Sequence, residues 1–325
     1  MFIRQNLSVV VVMGAALLAA VPAVVAQNYP VKPVRAVMPF PPGGAADALL
    51  RPLAPRLGEQ LGQQIVADPR PGANGNIAAE IVARAPADGY TLLFGNSSLP
   101  ISVTLYDKLP FDVLKDFTPI SLVALTPSVL VVHPSLPVKS VKELIALAKK
   151  QPGKLNFASG GVGNTMHLAA ALLNTMAGTR MVHVPYKGAG PAIVDVLAGQ
   201  CDMVFVNIAP VLGYIRAGRV VAIAVTSAKR SAVLPDVPTV AESGMPGYES
   251  TTWYGFLGPA GLPKDIVAKL NSAIVAAVRT PEMRERYVSV GSEPETSTPE
   301  QFAAYLKADV ASWAKVVKAS GAKAE

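Results

Sequence analysis

The run Ser159-Gly160-Gly161-Val162-Gly163-Asn164-Thr165 joins an apolar stretch at 155–158 to a helix-like sequence that opens at Asn164 or Thr165. A strand feeding a helix through glycines leaves backbone N–H groups unpaired at the helix start. The same helix end carries the positive pole of the macrodipole, so the arrangement can hold an anion. The alternative role of these residues is a tight strand-to-helix turn. Asn164 and Thr165 either add side-chain donors or simply cap the helix. The loop is not a phosphate-binding P-loop, because Asn164 and Thr165 stand where Lys and Ser/Thr are required. It also fails the dinucleotide fingerprint at its third glycine. An earlier stretch repeats the grammar: a strand-like run at 34–40 ending in Phe40, a turn through Pro41, Pro42, Gly43, Gly44 and Ala45, and Asp47 in the first turn of a helix. Two such mouths suggest two lobes that grip one small anionic ligand between them.

Other polar residues fall at strand ends. Gly95-Asn96-Ser97-Ser98 follows the apolar run 90–94, which makes Asn96 and Ser97 candidates for the same cleft, with turn formation as the alternative role. Tyr186 and Lys187 begin another strand-end loop, where Lys187 either steers an anion or stays solvated. Asn207 follows an apolar strand, and Trp253 either walls the cleft or packs a hinge. Asp47 contacts a ligand or stabilises its own helix N-terminus. For nucleophilic chemistry, the candidate set is Ser97, Ser98 or Ser159 with His167, and no G-x-S-x-G elbow surrounds any of these serines. His133, His167 and His183 are dispersed, with no carboxylate at metal-ligand spacing, so neither a metal nor a cofactor is expected. His167 reads as a brace for the glycine turn.

The elements that must position these residues alternate regularly. Strands are expected at 34–40, 64–67, 90–94, 117–123, 128–132, 155–158, 180–184, 202–206, 220–226 and 252–257. Helices are expected between most of them and throughout 263–279, 281–290 and 299–320, and the tail 318–325 is expected to fray. Continuously apolar strands alternating with helices predict an α/β, doubly wound architecture, in which ligands lie beyond the carboxyl ends of the strands. Pro52 and Pro55 interrupt the first helical stretch and predict a break or bend there. Ser140 with Glu143 forms a capping-box pattern.

Composition narrows the class. Of 325 residues, 51% are apolar and 16% charged, enough for two domains with sizeable cores. Arg4, the apolar run 7–20 and Val24-Val25-Ala26 form a signal-peptide pattern, so the mature chain is expected to begin near Gln27 in the periplasm. Removing Arg4 lowers the formal charge from +7 to +6 (7 − 1), a modest excess that favours acidic small molecules. No basic-aromatic run indicates nucleic acid. Cys201 is the single cysteine, which excludes an internal disulfide, and it reads as a buried small hydrophobe.

Several motifs, in order along nearly the whole mature length, resemble the periplasmic solute receptors of tripartite tricarboxylate transporters, the Bug group. They are Pro39-Phe40-Pro41-Pro42-Gly43-Gly44 with Asp47, Arg70-Pro71-Gly72-Ala73-Asn74-Gly75, Ala87-Asp88-Gly89-Tyr90-Thr91-Leu92-Leu93, Ser159-Gly160-Gly161-Val162-Gly163 with His167, His183-Val184-Pro185-Tyr186-Lys187-Gly188, Leu234-Pro235-Asp236-Val237-Pro238-Thr239-Val240 and Trp253-Tyr254-Gly255. The resemblance implies two α/β lobes joined by two crossovers, in the type II periplasmic-binding arrangement. One lobe is expected to take residues 27–122 and 251–325, the other 123–250, with crossovers near 120–128 and 249–253. The resemblance further implies a receptor that closes on a small mono- or dicarboxylate, acts as a monomer, and hands the solute to one large and one small membrane subunit. A sensor subunit would use the same site, and a periplasmic hydrolase is the competing class. The chain departs from the family pattern at Ala45 and Ala46, where a hydroxyl residue often precedes the aspartate. It departs again at Ala170 and Ala171, where an acidic residue is frequent.

Overall fold

The computed structural model describes residues 29–324; the export segment expected at 1–26 lies outside the described residues. The chain begins β1 (Val34–Met38), α1 (Ala45–Leu61), β2 (Ile65–Pro69), α2 (Asn76–Ala83), β3 (Thr91–Asn96) and α3 (Ser98–Leu105). It continues through β4 (Phe117–Val132), α4 (Val141–Lys150), β5 (Asn156–Ser159), α5 (Thr165–Ala177), β6 (Val182–Pro185), α6 (Ala189–Leu197), β7 (Met203–Asn207), α7 (Ile208–Arg216) and β8 (Val221–Val225). The closing elements are β9 (Thr251–Pro259), α8 (Lys264–Val278), α9 (Pro281–Ser289), β10 (Glu293–Pro294) and α10 (Pro299–Ser320).

The strands form one curled sheet in the order β2-β1-β3-β9-β4-β7-β5-β6, with β8 and β10 on β4. β1 is parallel to β2 and β3, and β5 is parallel to β6 and β7, while β9 runs antiparallel to both β3 and β4. β4 belongs to both lobes. Residues Phe117 to Pro127 pair with β9, and Ser128 to Val132 pair with β7. The expected pair of strands at 117–123 and 128–132 is therefore a single strand, 16 residues long. Pro119 and Pro127 do not break it; bulges at Pro119/Ser121 and Leu122/Ala124 absorb the irregularity instead.

Each sheet region is covered on both faces. In the first lobe, α1, α8 and α9 bury Leu49, Leu53, Leu270 and Ile274 against one face, while α2 and α10 bury Ala79, Val82 and Phe302 against the other. In the second lobe, α4 and α5 cover one face and α6 and α7 the other. The α/β doubly wound reading is correct.

Three local expectations are corrected. α1 runs unbroken from Ala45 to Leu61 with Pro52 and Pro55 inside it. Its buried stripe is Leu49, Leu50, Leu53, Leu57 and Leu61. Pro55 is exposed and Pro52 only half-buried, so water can reach the carbonyls that lose their partners. The polar stretch after Asn96, read as a loop, opens α3, whose Leu99, Ile101 and Leu105 are buried. The tail does not fray: Ala322 is buried with Ile101, Leu105, Leu168 and Trp313, and the Ala324 N–H donates to the Leu105 carbonyl at 3.0 Å.

Candidate functional site

The carboxyl ends of β1, β3, β5 and β6 release the chain through turns into α1, α3, α5 and α6, and β7 passes directly into α7. Those turns surround one cavity of about 1170 Å³ between the lobes. It lies where ligands lie in open α/β sheets, beyond the strands' carboxyl ends.

The second-lobe wall is built on the glycine turn. Gly161 (φ +133°) and Gly163 (φ +76°) take conformations that a side chain disfavours, and a Cβ on Gly163 would fall 2.3 Å from a Leu105 methyl. Asn164 caps α5, its side-chain oxygen accepting from the His167 N–H at 2.9 Å. The Gly163 N–H donates to His167 Nδ1 at 3.1 Å, which requires an unprotonated imidazole and makes His167 the brace of the turn. The histidines, dispersed in sequence, partly reassemble here. His167 stacks on His183 with ring centroids 3.8 Å apart, and His183 Nε2 meets Ser159 Oγ at 2.6 Å. Burial holds both imidazoles down to about 4, and for His167 the neighbouring ring adds to the effect. This Ser–His contact is not a hydrolytic dyad, because Ser159 has no exposure and its Oγ also bonds the Gly161 backbone. Its partner is His183 rather than the His167 named from the sequence.

The first-lobe wall is the turn at Phe40, Gly43, Gly44 and Ala45, all of which line the cavity. Gly44 caps α1 without a side chain, and α3, α6 and α7 likewise have no side-chain cap. By contrast α4, α9 and α10 are capped by Ser140, Thr280 and Thr298. α2 and α8 are also without side-chain caps. At the cavity, Asn164 caps α5 and Asn96 Oδ1 takes the first N–H of α3 at 3.1 Å, so the cavity-facing donors left without the protein's own caps are those of α1, α6 and α7. Lys187 is the one charged residue among the described residues that line it, and it is exposed.

Of the residues singled out from the sequence, Asn96, Gly160, Gly163, Asn164, Thr165, Tyr186 and Asn207 also line the cavity. Pro42, Asp47, Ser97, Ser159 and Trp253 do not, and strand parity explains the case of Trp253. Thr252 and Tyr254 face the cavity, so Trp253 between them faces the other way. It is fully buried, its Nε1 donates to Asp309 at 2.7 Å, and its ring meets Phe302 edge-on at 5.1 Å. Ser97, between the lining residues Asn96 and Ser98, turns inward and accepts from the Trp253 N–H at 3.1 Å. Asp47 is drawn back by the Gly43 N–H at 3.1 Å and Arg51 at 2.8 Å, and with Pro42 it borders a separate surface groove. Burial pulls the Asp47 carboxyl upward, but Arg51 and Gly43 together hold it below its usual range.

The cavity also holds residues that the sequence did not single out. Ile101, Leu105 and Tyr106 come from the unforeseen α3 and its end, and Ala324 from the tail. Asn74 sits in the left-handed region (φ +53°) with its side-chain nitrogen buried and without a partner among the described residues. Its place in the Arg70-Pro71-Gly72-Ala73-Asn74-Gly75 motif is the signal that could have found it; in the structure both Ala73 and Asn74 take positive φ.

Comparison with known proteins gives a consistent picture. Residues 49–322 match the model of the tripartite tricarboxylate transporter family receptor. The chain is 40% identical over 290 residues to a UPF0065 protein in the tcbD-tcbE intergenic region of Pseudomonas sp., covering 89% of this chain and 86% of that one. It is 38% identical over 300 residues to protein BugT of Bordetella pertussis, covering 92% of each. Among solved structures, R. palustris Rpa4515 with adipate superposes with a TM-score of 0.80 at 38% identity, over 90% of this chain and 98% of that one. MatC from Rhodopseudomonas palustris with bound malate gives 0.77 at 32% identity, over 89% and 100%.

Proposed function

The chain belongs to the tripartite tricarboxylate transporter receptor family, and from that premise we propose that it captures a small organic anion, a mono- or dicarboxylate, between its lobes. Members of this family are solute-binding receptors and not enzymes, so the chemistry is recognition alone. One observation carries the reading: uncapped helix N-termini from both lobes converge on a single cavity in which no Asp or Glu lies among the described residues.

The ligand carboxylate accepts, directly or through ordered water, from N–H groups of the 41–46 turn and of the 160–165 turn other than those of Gly43, Gly161 and Gly163, which Asp47, Ser159 and His167 already hold. Phe40, Gly43, Gly44, Ala45, Asn96, Gly160, Gly163, Asn164, Thr165, Tyr186 and Asn207 form its surroundings. Residues 27–122 with 251–325 act as one lobe and 123–250 as the other, closing about β4 and β9. The receptor is exported by residues 1–26, works in the periplasm as a monomer, and presents the closed form to the large and small membrane subunits of a tripartite transporter. The relatives solved with adipate and with malate support the carboxylate part of this reading.

Native mass spectrometry of freshly purified protein, followed by a thermal-shift panel of carboxylates and amides, tests it. Stabilisation by carboxylates is expected. Stabilisation by a neutral amide with no response to any carboxylate would overturn it.

A further inference from the structure

α1 opens at the cavity with a carboxylate of its own already at its positive end. Asp47 lies in the first turn of α1, between Ala46 and Ala48, both of which line the cavity. Its side chain borders the outer groove instead, yet its charge stays beside the first-turn N–H groups offered to the ligand. An anion in that position uses the field of the helix N-terminus and repels a second anion that approaches it. Arg51, one turn further along α1, answers that charge. Its Nε donates to Asp47 Oδ2 at 3.2 Å, and its Nη2 donates to Oδ1 at 3.0 Å and to Oδ2 at 2.8 Å, so the guanidinium grips both carboxylate oxygens. The Gly43 N–H donates to Oδ2 as well, at 3.1 Å. Arg51 lines the outer groove and not the cavity, so it does not touch a ligand held between the lobes. Its side chain is 72% exposed, and an exposed pair of this kind adds little to the stability of a fold.

We infer that Arg51 sets the affinity of this receptor for its anion: by neutralising Asp47 from outside the cavity, it keeps the N-terminal end of α1 attractive to a ligand carboxylate. The inference rests on the proposed carboxylate reading and deepens it, since it names a residue that acts on the ligand only through Asp47. A helix N-terminus is equivalent to about half a positive charge, so an Asp47 left unpaired more than cancels it. The Gly43 N–H alone does not restore the balance, because it is a dipole and not a charge. Lys187, the one charged residue lining the cavity among the described residues, belongs to the other wall and is exposed, so solvent screens it.

Isothermal titration of the full chain with acetate, malate, adipate and benzoate at low ionic strength tests this. Arg51→Gln keeps a good helix former at the position and removes its charge. It is expected to weaken every carboxylate that binds the parent by about three- to tenfold, while the melting temperature of the unliganded protein changes little. Adding Asp47→Asn keeps an oxygen for the Gly43 N–H and removes the negative charge. The double variant should return to within about twofold of the parent's affinity, and Asp47→Asn alone should bind at least as tightly as the parent. Arg51→Lys, which keeps the charge without the fork, should stay within about threefold of the parent. A merely structural strut behaves differently: loss of either partner weakens binding, and the double variant does not recover. Parent-like affinity in Arg51→Gln, or a double variant as weak as Arg51→Gln, would overturn the role of Arg51 and leave the carboxylate receptor standing. No response of the parent to any of these carboxylates would overturn both.

Discussion

Gly163 is the residue on which most of the second-lobe wall depends. Its φ of +76° and the Leu105 methyl lying 2.3 Å from where a Cβ would stand make the position intolerant for two independent reasons. Its N–H is also tied to His167 Nδ1. The Gly163→Ala variant is expected to lose about 1–3 kcal/mol of stability from strain and crowding. It should still unfold cooperatively, because the cores beneath α4, α5, α6 and α7 are untouched. Its ligand-induced rise in melting temperature should vanish. A carboxylate response equal to the parent's would show that the turn is not the cradle. Trp253 makes the opposite point at the same scale: a large aromatic beside a strand end reads as a binding residue, yet the pleat turns it into the core.

At the scale of elements, two buried titrating clusters act in opposite directions. Beneath the α5 N-terminus, His167 and His183 are held down to about 4, whereas free imidazoles titrate near about 6.5. Between those values the unfolded chain binds more protons than the folded one. This contribution is therefore full above about pH 6.5 and is lost as pH falls toward 4. Asp309 on α10, bonded to Trp253 on β9, runs the other way. Burial lifts its carboxyl to about 7 against the lowering effect of the Trp253 indole donor, with Glu249 adding to the rise. Here the folded state binds the extra proton, so stability from this group is full in acid and is lost as pH rises through 7. Asp309→Asn keeps an acceptor for the indole and removes the second effect. Its denaturation midpoint should exceed the parent's at pH 8, match it at pH 4, and rise between pH 4 and 6.5 with the histidine leg as the main contribution. Chemical denaturation across that range measures all three, and a variant midpoint that is flat below pH 6.5 would refute the histidine assignment.

α10 also shows how elements far apart in sequence frame the site. Its Trp313, Val316 and Val317 pack with Ile101 and Leu105 of α3 and Leu168 of α5, and the segment after it reaches the cavity at Ala324. α10 thus packs against helices that carry both walls of the cavity.

At the scale of the whole molecule, the proposed lobes are joined through β4 and through the segment that leads into β9. β4 changes partners between Pro127, paired with Thr251, and Ser128, paired with Asn207. In the proposed closure, a bend concentrated at this change of partner would move one lobe against the other without breaking either sheet region. Small-angle scattering of the protein with and without a saturating carboxylate is expected to show a smaller radius of gyration in the bound state. An unchanged radius would argue against closure as the capture mechanism.

Sequence alone determined the alternation of strands and helices, the glycine turns and the N-terminal ends of the helices that follow them. These are local properties: glycine takes positive φ at little cost, and a continuously apolar run needs burial on both faces. The same local logic found Gly43, Gly44, Gly160 and Gly163, which the fold brings to one cavity. Tertiary structure decided which neighbours of those glycines face it. Parity along β9 sent Trp253 inward and Tyr254 outward, and pairing across the sheet made one strand of what read as two. It also stacked His167 on His183 and folded the tail back to Leu105. Each of these depends on contacts between residues distant in the chain, and a sequence pattern carries no register between distant segments until packing imposes one.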